Sequence, residues 1–476
     1  WNSRPAWDVD IANLNLTEGG ISFISHNLGK KMNVPQEVTR LGGIHYVGHL
    51  SGRGDRLSSK GRLETGAGNA DIQLSKNGKN IQAKIATKGI ALDRILANKT
   101  FGQVATTIEV KGNKDHLVAK GEISRFDYNK YCFRNISLDG QYNHGIVKGL
   151  ASIDDPNIRV DIEGNYAMKG NKYAINTHID HLQPSILGVK MADKDYSLDD
   201  IDLSANNQSS DSYLDLEAPF MSLHARGQYN LSTLVSSIQN MIAEKLPTLP
   251  GIKKTKAKGD NDFTLQGNIY STEVLNKILG IPLAISSPIH INGNISEQSN
   301  ELNLYLSAPL FSYNGKPFHN GNVELTTLDN TLSLEARITQ GMPYEKAPEI
   351  KLKAAAADNV LSTLLNYNNH SSKLPLSGLL NADTRFSKNE QGQLTIQTSV
   401  KPSSLMLGDT QWDVKASTVE YHKNHLTVDN FVVKHDKQHV IINGMATPNK
   451  EDSIVADLKD VDVAYILNLV NFHSVD

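Results

Sequence analysis

The sequence predicts an all-β fold of antiparallel strand pairs, interrupted by a few short amphipathic helices. Three observations carry this reading. A motif of alternating apolar and polar residues with a glycine near its centre recurs along the chain. The segments between its copies are short and polar, as hairpin turns are. Asn, Ser, Thr, Gly and Asp are abundant in the 476 residues, while a hydrophobic content of 39% still supports a folded core.

The motif is clearest at Phe263-Thr-Leu265-Gln-Gly267-Asn-Ile269 and Ile289-His-Ile291-Asn-Gly293-Asn-Ile295. It recurs as Ile136-Ser-Leu138-Asp-Gly140-Gln-Tyr142, Val160-Asp-Ile162-Glu-Gly164-Asn-Tyr166, Leu223-His-Ala225-Arg-Gly227-Gln-Tyr229 and Val440-Ile-Ile442-Asn-Gly444-Met-Ala446. Alternate residues of a strand share a face. The apolar members Ile136, Leu138, Val160, Ile162, Leu223, Phe263, Leu265, Ile269, Ile289, Ile291, Ile295, Val440 and Ile442 therefore form apolar strand faces. Gly140, Gly164, Gly227, Gly267, Gly293 and Gly444 fall on those same faces, where a packed core would normally hold a side chain. Adjacent copies lie roughly 20 to 26 residues apart, the length of a hairpin and too short for an α/β crossover. Further alternating runs, such as Leu302-Asn-Leu304-Tyr-Leu306 and Leu394-Thr-Ile396-Gln-Thr398, fill the intervals. Turns are expected at the segments beginning at Lys76, Asn389 and Tyr421.

Helices are expected at five places. Ser232 is placed to cap a helix to about Lys245 with an apolar stripe of Leu234, Val235, Ile238, Met241, Ile242 and Leu246. Thr272 is placed to cap a second, with Val274, Leu275, Ile278 and Leu279 apolar and Gly280 at its end. Segments starting at Ile90, Asp358 and Asp462 repeat the theme. The Pro-, Lys- and Gly-rich stretch at 247–260 reads as an exposed loop and a sub-boundary within an otherwise continuous repetitive chain.

Composition excludes several functions. A net charge of −3 with 21% charged residues gives no electrostatic footprint for nucleic acid. The single cysteine, Cys132, rules out an internal disulfide and a multi-cysteine metal site, and reads as a small hydrophobe. No run of 18 apolar residues offers a membrane-spanning helix, so an anchor is expected outside this chain. His45 with His49 and His435 with His439 lack the cysteines or the H-E-x-x-H frame of a zinc site. The Arg53-Gly54-Asp55 tripeptide and the acceptor sequences at Asn98, Asn135 and Asn294 are short enough to arise by chance. Carboxylates are dispersed, so no acid–base pair for glycoside cleavage is expected. No catalytic residue, cofactor or metal ligand is nominated.

The serial units at 137–145 and 154–168, the helix-then-strand block at 272–296 and the closing stretch from Val461 resemble the AsmA-like envelope proteins of Gram-negative bacteria. Within them, the chain is most similar to the TamB family of translocation and assembly module subunits. That resemblance implies a middle segment of a longer protein, periplasmic and anchored in the inner membrane by a segment absent here. It further implies an elongated, strongly curved antiparallel sheet, a half-pipe or β-taco groove. Phospholipid acyl chains would be its cargo and an outer-membrane β-barrel its partner through a missing C-terminal region. The thirteen apolar residues above would line the groove, and the six glycines would mark strand bends that curvature requires. On the order of 20 to 25 strands at about 4.8 Å each would span roughly 100 Å. The same alternation also fits a closed core, as in an extracellular β-solenoid adhesin or structural surface protein. A polysaccharide-acting enzyme fits less well, because Trp1, Trp7 and Trp412 are too dispersed for a sugar platform.

Overall fold

A computed structural model describes residues 6–17, 19–20, 36–208, 211–256, 259–343, 346–388, 392–449 and 451–462. These hold 31 strands and three α-helices, and the pairings described below are all antiparallel. The chain divides into two units, one of residues 1–209, 214–219 and 277–279, the other of residues 210–213, 220–276 and 280–476. The loop at 247–260, expected as a sub-boundary, lies inside the second unit.

The first unit contains β1 (Ala6–Leu16), β2 (Ile44–Arg53), β3 (Arg56–Thr65), β4 (Gly68–Asn77), β5 (Asn80–Ala91), β6 (Phe101–Gly112) and β7 (His116–Tyr128). It continues with β8 (Tyr131–Phe133), β9 (Ile136–Asn143), β10 (Ile146–Asp155), β11 (Ile158–Ala167), β12 (Lys172–Leu182) and β13 (Leu198–Asn206). Each strand from β1 to β7 pairs with the next, β7 pairs with β9, and the ladder runs on to β13. The short β8 pairs with the end of β7. β14 (Tyr213–Ala218) spans the division between the units.

The second unit contains β15 (Met221–Gln228), β16 (Asp262–Ile269), β17 (Leu283–Ile285), β18 (Ile289–Ser296), β19 (Glu301–Tyr313), β20 (Lys316–Leu328), β21 (Thr331–Gln340) and β22 (Glu349–Ala357). It continues with β23 (Val360–Asn368), β24 (Leu376–Lys388), β25 (Leu394–Lys401), β26 (Ser403–Leu407), β27 (Thr410–Val414), β28 (Ser417–His422), β29 (His425–His435), β30 (Gln438–Ala446) and β31 (Ile454–Lys459). The ladder passes from β15 through β16, β18 and β19, then strand by strand to β25, and on through β28 to β31. β17 pairs with the end of β19, and the β26–β27 hairpin is inserted between β24 and β29. Both insertions sit at the same margin of the ladder, because alternation of strand direction from β19 to β24 puts the end of β19 and the start of β24 on one side.

Tight turns set this register. The Asp329-Asn330, Asp358-Asn359 and Lys423-Asn424 pairs have φ between +46° and +65°, which is the double left-handed conformation of a two-residue type I′ hairpin. That turn twists with the strands, and Asn and Asp tolerate it better than most residues.

Three expected helices need correction. The segment from Asp358 is not a helix: Asp358-Asn359 is a turn, and Val360–Asn368 is a strand that places Leu361, Thr363, Leu365 and Tyr367 on one face. The first long helix, α3 (Leu234–Lys245), follows the short α1 (Gln36–Thr39) and α2 (Leu92–Leu96), and starts after Thr233 without a side-chain cap. Ser232 instead donates to Asn230 Oδ1 at 2.6 Å. Of its expected stripe, Met241 and Leu246 are buried but Val235 is exposed. The Thr272 helix is a π turn over Leu275–Leu279 that ends at Gly280, φ +67°, while Thr272 Oγ1 donates to the Leu283 carbonyl at 2.6 Å. The helix expected from Asp462 and the turn at Asn389 fall largely outside the described residues.

The six motif glycines all lie inside strands, none in a turn. Gly227 and Gly444 take φ +119° and +126°, where a side chain is strained. At five of the six, all but Gly140, the space beside the glycine is not open. A Cβ on Gly267 would stand 2.9 Å from Leu223 Cδ1, one on Gly293 2.5 Å from the Asn303 carbonyl, and one on Gly164 2.7 Å from the Ala174 carbonyl. The neighbouring strand has moved into the space that a side chain would take.

One glycine pair tests this directly. Gly140 and Gly149 face each other across β9 and β10. A Cβ on Gly140 meets nothing nearer than 3.8 Å, whereas one on Gly149 would lie 2.5 Å from the Asp139 carbonyl. Gly149→Ala is expected to cost about 1–3 kcal/mol and Gly140→Ala to be within about 0.5 kcal/mol of the parent, read as shifts of the urea midpoint. Equal shifts would contradict the close-approach account.

Candidate functional site

Antiparallel register decides which side chains become neighbours, and here it aligns like with like. In the first unit Ile123, Ile136, Ile153, Val160, Ile179 and Ile201 stand side by side across β7, β9, β10, β11, β12 and β13. The next row on the same face is Gly121, Leu138, Ala151, Ile162, Thr177 and Leu203. In the second unit a row runs Leu223, Gly267, Ile291, Leu306, Val323, Ala336, Leu352, Leu365 and Leu380. Its neighbours are Ala225, Leu265, Gly293, Leu304 and Leu325 on one side and Ile269 with Ile289 on the other. Phe263 faces Ile295, Val440 faces Val433, and Ile442 faces Phe431. All thirteen predicted residues thus lie on the apolar face of their own unit.

In the first unit that face is covered at one margin and exposed at the other. In the first unit the row of Ile136 and Val160 is buried beneath Phe133 of β8 and Ile186 of the 3-10 turn Pro184–Leu187. Beneath this cover Asp155 is buried and satisfied, accepting from Tyr131 Oη, the Arg134 amide at 3.1 Å and the Asn157 amide at 3.0 Å. Burial and the Asp155 hydrogen bond push the Tyr131 pKa up to about 12. One row away the cover ends: Leu138 and Ile162 are each 37% exposed, against 9% for Ile136 and 8% for Val160. Trp7, Ile81, Val147 and Tyr166, near the opposite, tight-turn margin, are exposed too. In the second unit α3 covers one margin of the apolar face, where Leu246 packs with Ala356 and Phe386. The Asn359 amide bonds the Lys245 carbonyl at 2.9 Å there, and Lys245 Nζ donates to Asn330 Oδ1. The inserted β26–β27 hairpin builds a second cluster of Val400, Trp412, Val414 and Val433. The helix that forms α3 was expected from the sequence, but the β26–β27 insertion was not, because it depends on which strands pair.

The other face of each sheet is polar. Lys84, Glu109, Lys120 and Asp139 alternate in charge across four strands, with Lys120 Nζ 2.6 Å from Asp139. A depression of about 900 Å³ lies over them and reaches His178 and Asp202. A second, of about 480 Å³, lies over Glu335, Arg337, Lys351 and Lys353. A twisted sheet is saddle-shaped and therefore hollow on each face along a different diagonal. Its carboxylates are neutralised by neighbours. The Lys351 and Arg337 hydrogen bonds hold Glu349 below its usual pKa, and those from Lys401 and Ser362 do the same for Asp383. Exposed pairs of this kind add little stability each.

The histidine pairs singled out in the sequence do not converge. His45 and His49 are four residues apart on a strand, which separates them by about 13 Å. His45 meets Glu64 at 3.2 Å, and His49 meets Asp10 at 2.8 Å. His435 is 2.8 Å from the Gln411 carbonyl, and His439 is 3.1 Å from Asp457. No group of three or more His, Cys, Asp or Glu among the described residues is placed to hold a metal ion. Arg53-Gly54-Asp55 occupies the exposed β2–β3 turn. No helix among the described residues is long and apolar enough to cross a membrane. Comparison with known proteins finds no matching family model, no matching curated protein and no matching solved structure.

One cross-strand pair has a measurable signature. The hydrogen bond between His178 Nδ1 and Asp202 Oδ1, 2.8 Å, raises the His178 pKa above its usual 6.5, with further help from nearby carboxylates. A raised folded-state pKa stabilises below the unfolded value and loses that contribution as pH climbs through the folded value. Histidine NMR titration should find His178 above 6.5 in the parent and nearer to it in Asp202→Asn; an unchanged midpoint would refute the pairing.

Proposed function

We propose that the chain is a lipid-carrying segment of a bacterial envelope protein. In this reading each unit shelters acyl chains on its apolar face. The thirteen motif residues line the path, and the six glycines let strands bend and close up around it. The observation that carries the reading is the graded exposure of the apolar face. A closed solenoid or sandwich would bury Leu138 and Ile162 as fully as Ile136 and Val160, yet they are 37% exposed. In the first unit the exposed residues of this face are Trp7 and Val9 on β1, Ile81 and Ile85 on β5, and Leu138, Val147, Ile162 and Tyr166 on β9 to β11, and apolar surface grouped in this way on the last three strands is the kind that marks a binding site.

The energetics suit passage better than capture. Sheltering an acyl chain of about 16 carbons is worth on the order of 10 kcal/mol, at about 0.8 kcal/mol per CH₂. Successive strands present similar aliphatic side chains at about 4.8 Å intervals, so a chain moving along a row meets no deep well. No step requires a nucleophile, a metal or a redox group, and the chain acts without catalysis. The resemblance of the serial units to AsmA-like proteins supports phospholipid as the lipid and the periplasm as the compartment. An inner-membrane anchor and an outer-membrane β-barrel partner would engage parts of a longer protein.

Lipid extraction of the purified chain, followed by mass spectrometry, is expected to recover phospholipid. A photoreactive residue at Ile291 or Ile162 is expected to crosslink it. Ile162→Asp places a charge on the exposed row without disturbing the covered margin, and is expected to cut recovered lipid several-fold while leaving the circular dichroism unchanged. No recovered lipid and no crosslink from either position would sink the reading.

A further inference from the structure

The open margin of the first unit is not electrically neutral. Its outermost apolar row runs Trp7, Gly52, Leu57, Lys76, Ile81, Gly112 and Leu117, then Tyr142, Val147, Tyr166 and Tyr173. The tight turns begin just beyond it. Arg53 and Arg56 flank the β2–β3 turn, and Lys76 and Lys79 the β4–β5 turn. Lys111 and Lys114 stand at the β6–β7 turn, Lys169 and Lys172 at the β11–β12 turn. All eight are exposed, and across these turns only Asp55 and Asp115 are acidic. In the β9–β10 turn His144 packs edge-on against His116, with ring centroids 4.5 Å apart.

At the covered margin three cations are engaged within the protein. Arg94 donates to the Gly66 carbonyl at 2.7 Å, Arg125 bonds Asp127 at 2.7 Å, and Arg159 bonds Asp180. Among the described residues none of the eight turn cations is in an ion pair, although Lys172 reaches the Asn207 carbonyl at 2.7 Å. Lys76 stands within the apolar row itself, between Leu57 and Ile81, as a lysine does when its stem lies along apolar surface and its ammonium meets water. Tyr142, Tyr166 and Tyr173 add rings with an apolar body and a polar tip, suited to the boundary of an amphiphile.

We infer that the amphiphile held on this face is anionic, with a phosphate headgroup seated at the hairpin margin and its chain laid inward toward Leu138 and Ile162. This rests on the lipid-carrying reading and adds the polarity of the cargo and the side from which its head emerges. Hairpins recur about every 10 Å along the sheet, and each turn lies about 3–7 Å beyond the last apolar row. A headgroup leaving that row is therefore within a screening length of two or more cations at physiological salt. A zwitterionic head would gain far less there, because its own cation offsets its phosphate.

Calorimetric titration of the delipidated full chain with dodecyl phosphate and dodecylphosphocholine separates the terms, since the two share a tail. Dodecyl phosphate is expected to bind about tenfold more tightly in 50 mM salt, with the preference shrinking in 500 mM. The combined variant Arg53→Gln, Arg56→Gln, Lys76→Gln and Lys79→Gln should lose most of that preference while binding dodecylphosphocholine as the parent does, which also reports that it folds. Equal affinities in the parent would overturn the headgroup assignment and leave the lipid reading standing. Absence of binding by both would overturn the lipid reading itself. Inorganic phosphate binding as tightly as dodecyl phosphate would reveal a phosphate site independent of the apolar face. Sedimentation with phosphatidylglycerol vesicles without extraction of lipid would reveal membrane-surface docking. Either result would overturn the inference.

Discussion

The constraint on which this structure depends is register. A one-residue slip between any two neighbouring strands would turn an apolar row onto the polar face, because side chains alternate with a period of two. Two-residue turns such as Asp329-Asn330 and Asp358-Asn359 fix that register hairpin by hairpin. With the register held, Leu306 meets Val323 and Ile291 on the apolar face, and Lys120 meets Asp139 on the other. Each unit thereby acquires two chemically distinct faces without a conventional two-layer core.

A sheet with one apolar face must cover it or use it. Here the cover is partial. β8, the 3-10 turn at Pro184–Leu187, α3 and the β26–β27 hairpin each shield one part of a face, and the buried clusters form beneath them. Glycine contributes in a second way. At Gly149, Gly267 and Gly293 the neighbouring strand lies too close for a Cβ, so the sheet packs more tightly at those points than side chains would allow. In the first unit the result is a stable anchorage along one margin and an accessible apolar surface beside the other. That division gives the lipid reading its physical content, since an accessible face retains the unsatisfied hydrophobic energy that a closed core would already have spent.

The strands were legible because alternation is local. The copies at Phe263–Ile269 and Ile289–Ile295 fall wholly within β16 and β18 and lie directly against each other, as matching patterns at hairpin spacing suggest. The segment after Asp358 was misread because Val360, Leu361, Leu364 and Leu365 also fit a helical stripe, and an Asp before an apolar run resembles a cap. The Asp-Asn turn settled the matter in favour of a strand. What filled the glycine positions was not legible, since Leu223 and Asn303 belong to other strands and only the register brings them there. The row of cations along the hairpin margin was hidden for the same reason: Arg53, Lys79, Lys114 and Lys169 are scattered in sequence and become one edge only when the hairpins stack.

The central claim, that the apolar face is closed at one margin and open one row away, is tested most directly by thiol labelling along β11. In a Cys132→Ser background, single cysteines at Val160, Ile162 and Tyr166 would be reacted with a maleimide under native conditions. The structure predicts slow labelling at Val160 and labelling at Ile162 and Tyr166 faster by at least about tenfold, following their exposure. Uniformly slow labelling at all three positions would mean that an opposing layer covers the face, and would contradict the account.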